Sequence, residues 1–239
     1  MSTKSNSNRT RRPEYFTPRG IAKFAFLNDP QTKLDPDGIY SVALRLPTED
    51  ADTQVLIDIY NQESAAALIE THKTIDKIDK PVKVNGKIMK PDEAKKALKD
   101  TLAIALPFET EVDEEGTPTG NTIFKFKMKA KTTDEDGNEK ERRPAVCDAN
   151  RQAVNLDEVM IGSGTEMRVK FRIGTNYMQS ANTLYLTGYM AAVQIIKLVQ
   201  FSGDAFGGFG EEEGYSSSAS EAGDVPAQGN GEGGEKGDF

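Results

Sequence analysis

The stretch Thr122-Ile123-Phe124-Lys125-Phe126-Lys127-Met128-Lys129-Ala130-Lys131 alternates between apolar residues and lysines from Phe124 onward. Successive side chains of an extended strand point to opposite faces, so Phe124, Phe126, Met128 and Ala130 share one face and the four lysines share the other. Ammonium groups with no nearby sequence partner are too costly to bury, so the lysine face turns toward water or toward a polyanion. Phe124 and Phe126, in phase with Met128 and Ala130, are expected in a core. Lys125, Lys127, Lys129 and Lys131 are left as candidates for phosphate contact.

Glu166 to Thr175 repeats the pattern, with Met167, Val169, Phe171 and Ile173 facing inward and Arg168, Lys170 and Arg172 outward. A last long strand, from about Thr183 to Phe201, places Tyr185, Thr187 and Tyr189 on a common face, with Tyr177 in the preceding loop. Tyrosines so placed either stack on bases or stand half-buried at a barrel rim.

Around these strands, Ile21 to Leu27 and Ile39 to Leu46 read as strands separated by a turn-rich loop. A helix is expected to start at Thr48-Glu49-Asp50 and run to about His72, burying Val55, Leu56, Ile59, Ala66 and Ile69. Val82 to Met89 carries the Asn85-Gly86 signature of a tight hairpin, and Pro91 opens a short helix. Lys140 to Asp148 is expected to pair with the opening strand. Gly162-Ser163-Gly164 lacks the Gly-Lys-Ser/Thr of a phosphate loop and is read as a bend between strands. Short strands with turn signals, one substantial helix in a connection and no βαβ rhythm predict a mostly β, mostly antiparallel small barrel.

Charge is distributed unevenly. Residues 203–239 hold nine acidic residues against Lys236, which accounts for the whole net charge of −8 and leaves the body formally neutral. Three segments follow: a basic N-terminal arm over 1–20, a folded barrel domain over 21–202 that carries the cationic strand faces, and an acidic, flexible tail over 203–239. The arm carries Tyr15 and Phe16 among its arginines, a composition that suits a polyanion with stackable rings and equally an untethered terminus. The tail, tethered beside a cationic groove, is expected to compete with a polyanion for it.

Cys147 and His72, the only residues of their kinds, cannot make an internal disulfide or a Cys/His zinc site. No apolar run is long enough to span a bilayer, and no motif joins a nucleophile to a base. The expectation is an intracellular, non-enzymatic protein without cofactor or metal. Seven cations on two strand faces, a basic arm and several tyrosines fit single-stranded nucleic acid held by backbone charge and stacking. The alternative is a virion or assembly protein whose basic faces are protein interfaces.

Read together, four places resemble the single-stranded-DNA-binding proteins of T7-type bacteriophages. They are Gly38-Ile39-Tyr40-Ser41-Val42 through Leu46-Pro47; Gly120-Asn121-Thr122 into Phe124-Lys125-Phe126-Lys127; Ile161-Gly162-Ser163-Gly164 into Val169-Lys170-Phe171; and the acidic tail closing on Gly237-Asp238-Phe239. The resemblance implies a five-stranded antiparallel OB-fold barrel and a role in phage DNA replication, recombination and repair in the cytoplasm of the infected bacterial host, including strand annealing. It also implies a tendency to form a homodimer. The tail, with Glu232, Glu235, Asp238 and Phe239, would dock on partners such as a phage DNA polymerase and a helicase–primase. This chain has no tryptophan, so any stacking tryptophan of relatives is replaced here, Tyr177 being one candidate.

Overall fold

The computed structural model of the chain describes residues 12–33, 35–84, 86–134 and 137–200. The start of the basic arm and the whole acidic tail lie outside the described residues.

Five long strands carry the fold: β2 (Gly20–Gln31), β3 (Ile39–Pro47), β8 (Pro118–Lys129), β12 (Glu166–Met178) and β13 (Thr183–Lys197). Their inward faces are those the alternation predicts. Phe124, Phe126, Met128 and Ala130 are buried, as are Met167, Val169, Phe171 and Ile173, and they merge into one core with Leu44, Leu46, Leu184 and Met190. Pairing runs β12–β2–β3–β8–β13 and returns to β12, antiparallel at every step except the parallel contact of β8 with β13.

The cycle is not a clean closed barrel. Two of its seams are only two residue pairs long, Phe126↔Gly188 with Lys127↔Tyr189, and Gly20↔Met167 with Ile21↔Glu166. A glycine sits at each. A Cβ on Gly188 would lie 2.7 Å from the Phe126 ring and from the Tyr60 hydroxyl, and one on Gly20 would lie 2.5 Å from Leu46, so bare backbone is what lets the strands meet. The sheet also extends beyond the cycle, to nine strands, through β1 (Tyr15–Phe16), β6 (Ala103–Ala105), β7 (Phe108–Val112) and β11 (Ala145–Cys147). Two hairpins stand apart from it: β4 (Val82–Val84) with β5 (Lys87–Met89), and β9 (Lys131–Thr133) with β10 (Glu139–Glu141).

The expected pairing of Lys140 to Asp148 with the opening strand holds only at its turn, where Lys140 and Glu141 lie opposite Thr132 and Lys131, and is corrected beyond it. The chain leaves the sheet at Ala130, β10 pairs back only on β9, and β11 lies parallel to β13. Strand β8 is instead flanked by β3 and by β7 and β13.

The long helix α1 (Ala51–Asp76) starts later than expected. Asp50, not Thr48, caps it, its carboxylate accepting from the backbone N–H of Asp52 at 2.9 Å and of Thr53 at 3.2 Å. The buried stripe is Thr53, Leu56, Tyr60, Ser64, Thr71 and Ile75, so Val55, Ala66 and Ile69 face solvent rather than the core. Tyr60 sets that rotation: fully buried, it stacks on Phe171 with centroids 5.8 Å apart and planes 10° apart, and touches Phe108 and Phe124. The second helix, α2 (Pro91–Asp100), forms as Pro91 predicts and packs Ala94 and Leu98 with Val84 and Ile75 into a satellite core.

Candidate nucleic-acid interface

The outward faces of β2, β3, β8 and β13 form a groove of about 510 Å³ lined by Phe24, Phe26, Lys33, Lys125, Lys127 and Tyr185. Ser41 and Ala43 from β3, Thr187 from β13 and Ala105 to Pro107 at the end of β6 also line it.

Phe24 and Phe26 are the residues that sequence reasoning missed. Simple alternation from buried Ala22 would turn them inward. The ladder shifts between Ala22↔Leu44 and Phe24↔Ala43, leaving Lys23 as an extra residue on β2. This bulge flips the phase, and Phe24 and Phe26 emerge 54% and 40% exposed. Two phenylalanines separated only by Ala25 were the visible signal, but the bulge that aims them was not.

The register assembles a continuous row across the face, Phe26↔Ser41↔Lys127↔Tyr189↔Arg172. Lys127 is exposed, and no carboxylate of the described residues lies within 4.0 Å of it. Lys125 pairs with Glu109 at 2.7 Å, Lys129 with Asp35 at 3.5 Å, and Lys131, on the β9–β10 hairpin, with Glu139 at 3.8 Å. Tyr185 and Tyr189 are 36% and 44% exposed on the outer face of β13.

The other expected residues are placed elsewhere. Arg168, Lys170 and Arg172 point outward from β12, but the segment that pairs beside them, around β1, engages all three. Lys170 and Arg172 both pair with Glu14, and Arg168 Nε donates to the Thr17 carbonyl at 3.0 Å. Tyr15 packs on Phe171 and donates its hydroxyl to Glu63 of α1 at 2.9 Å, so its ring is part of the fold rather than of the groove. Phe16 is 60% exposed, with Lys170 5.8 Å from its ring centre. Tyr177 lies within β12, not in a loop, and its hydroxyl donates to Asn182 at 2.9 Å beside the satellite core. That position is away from the groove. Glu232, Glu235, Asp238 and Phe239 lie outside the described residues. Gly162-Ser163-Gly164 is a turn, with Ser163 donating to the Lys23 carbonyl at 2.8 Å.

One carboxylate braces the strands that carry the face. Glu111 of β7 accepts from Lys23 at 3.0 Å, from Arg45 at 2.6 and 3.1 Å, from Thr119 at 3.0 Å and from Asn121 at 3.1 Å. The Arg45 guanidinium first, then Lys23, holds its carboxyl down at about 2. A depressed folded pKa contributes stability that is complete above the ordinary value of 4.5 and is lost as pH falls toward 2. Glu111→Gln should therefore flatten that acid limb in a melting-temperature profile. At pH 7 it should cost about 1.5–3 kcal/mol, the scale of hydrogen bonds to a charged group.

No protein-family model matches the chain. It is 26% identical over 205 residues to the single-stranded DNA-binding protein of Escherichia phage T7, covering 84% of this chain and 80% of that one. Its structure is similar to the crystal structure of gp2.5, a single-stranded DNA-binding protein encoded by bacteriophage T7. The TM-score is 0.63 and the identity 20%, over 81% of this chain and 97% of the other. The resemblance read from the four sequence places thus holds in sequence and in fold. No helix among the described residues is long and apolar enough to cross a membrane.

Proposed function

We propose that this chain binds single-stranded DNA without sequence preference during phage DNA replication and recombination, in the cytoplasm of the infected host, as a binder and not an enzyme. The observation that carries the proposal is the groove itself, where Phe24, Phe26 and Tyr185 stand beside Lys125 and Lys127. Rings give every base a stacking surface while ammonium groups track the backbone, and neither reads a base edge. The five-strand cycle, with β8 parallel to β13, supports an OB-fold reading of the body. The T7 relative's name supports the choice of ligand. Strand annealing, homodimer formation and recruitment of a polymerase and helicase–primase through Asp238 and Phe239 belong to the same proposal.

The test is the salt dependence of binding. If about four phosphates are neutralised, affinity falls by about 50-fold between about 50 and 200 mM salt, since each contributes a slope of roughly −0.7. Lys125→Gln with Lys127→Gln should remove about 1.4 from the slope, leaving about a sevenfold fall. A double variant with the slope of the parent would place the phosphate path off β8.

A further inference from the structure

Residues 12–17 run antiparallel beside β12 as a strap, with Tyr15 opposite Phe171 and Phe16 opposite Lys170. The strap is held by Thr17, fully buried, whose N–H donates to the Val169 carbonyl at 3.0 Å and whose hydroxyl accepts from the Val169 N–H at 2.9 Å. Tyr15 adds its bond to Glu63. The strap is thus fastened by groups other than Glu14. The Glu14 carboxylate instead sits on the protein surface between Lys170, at 2.5 Å, and Arg172. Lys170 and then Arg172 hold its carboxyl below the usual carboxylate range.

That position continues the groove. Arg172 is in register with Tyr189, and Tyr189 with Lys127. Two strand spacings, about 10 Å, thus separate Arg172 from the lysine row, a distance that a strand of several nucleotides covers. Arg12 closes the same corner. A Cβ on Gly174 would lie 2.8 Å from Arg12 Nη1 and 2.8 Å from Cδ2 of Tyr189, so guanidinium and ring both lie over that bare stretch of β12. The Arg172 Nε has no hydrogen-bond partner among the described residues.

We propose that Lys170, Arg172 and Arg12, beside the Tyr189 ring, form a second phosphate site that extends the groove onto β12, and that Glu14 occupies it as an internal stand-in for a phosphodiester. A bound strand displaces the Glu14 carboxylate and takes over its two cations. Glu14 therefore lowers affinity and reduces the number of counterions released on binding. The proposal rests on the single-stranded DNA reading above.

The test compares the full-length chain with Glu14→Gln and with Glu14→Gln/Lys170→Gln/Arg172→Gln, titrating a labelled oligothymidylate across salt concentrations. For Glu14→Gln, one more neutralised phosphate steepens the slope by about 0.7, which is about eightfold tighter binding at about 50 mM salt and about threefold at about 200 mM. The triple variant should lose that increase. Glu14→Gln binding with the parent's affinity and slope would overturn the proposal while leaving single-strand binding by the parent intact. So would a lowered melting temperature with no rise in affinity, which would mark Glu14 as a fastener of the strap. An increase that survived in the triple variant would equally overturn it. A parent that bound no single strand would remove the reading on which the proposal depends.

Discussion

Replacing Phe24 and Phe26 together with alanine is expected to weaken binding of a single-stranded oligonucleotide by about 30-fold or more, with little change in melting temperature. Each ring offers a stacking surface worth about 1–3 kcal/mol per base, and the lower end of that range taken twice gives the figure. Both rings are roughly half exposed on the outer side of β2, opposite Ala43 and Ser41, so their loss opens no cavity in the core. Fluorescence anisotropy together with a thermal melt checks both halves of the expectation. Unchanged affinity would remove the phenylalanines from the path of the strand, and a large fall in melting temperature would make them core residues.

Phe126→Ala should do the reverse. Phe126 is 1% exposed, lies 4.9 Å from the Phe171 ring and abuts Gly188 at the narrow seam between β8 and β13. Truncating a buried phenylalanine costs about 3–5 kcal/mol. At about 2–4 °C per kcal/mol for a chain of this size, the melting temperature should fall by roughly 6–20 °C. The fraction that remains folded still presents Lys125 and Lys127, so its affinity for the strand should change far less than the stability does. A melt close to that of the parent would mean that the seam does not depend on this ring.

Alternation made β8, β12 and β13 legible because their side chains obey a period of two over many residues and each strand has one buried face. The same rule concealed the aromatic half of the groove. The bulge at Lys23 is a property of how β2 pairs with β3, and a single strand's sequence does not encode its partner's register. Helix α1 shows a related limit. Its apolar residues Val55 and Ile69 pointed to one rotation, but the depth reached by seating Tyr60 against Phe171 fixed another, with Thr53, Ser64 and Thr71 on the buried side. Tertiary packing of one large ring outweighed a weak local pattern.

The candidate site was legible in its charge more than in its geometry. Lys125 and Lys127 were correctly turned outward by phase and meet in the groove. Arg168, Lys170 and Arg172 also face outward, yet the contact that governs Lys170 and Arg172 comes from Glu14, more than 150 positions away in the chain, where no periodicity could reveal it. Tyr15, drawn from the same arm, went to the fold because a ring beside Phe171 and a hydroxyl near Glu63 satisfy both of its ends.

Whether the groove between β2 and β13 takes single-stranded nucleic acid is decided by a direct competition. The full-length chain is bound to a labelled single-stranded oligonucleotide, then challenged with unlabelled strands of the same sequence in single- and double-stranded form at about 0.1 M salt, where exposed charges still act over about 10 Å. The single strand should displace the label efficiently and the duplex should not, because paired bases cannot splay onto Phe24, Phe26 and Tyr185. Equal displacement by the two forms, or no binding of the single strand at all, would contradict a groove built for unpaired bases.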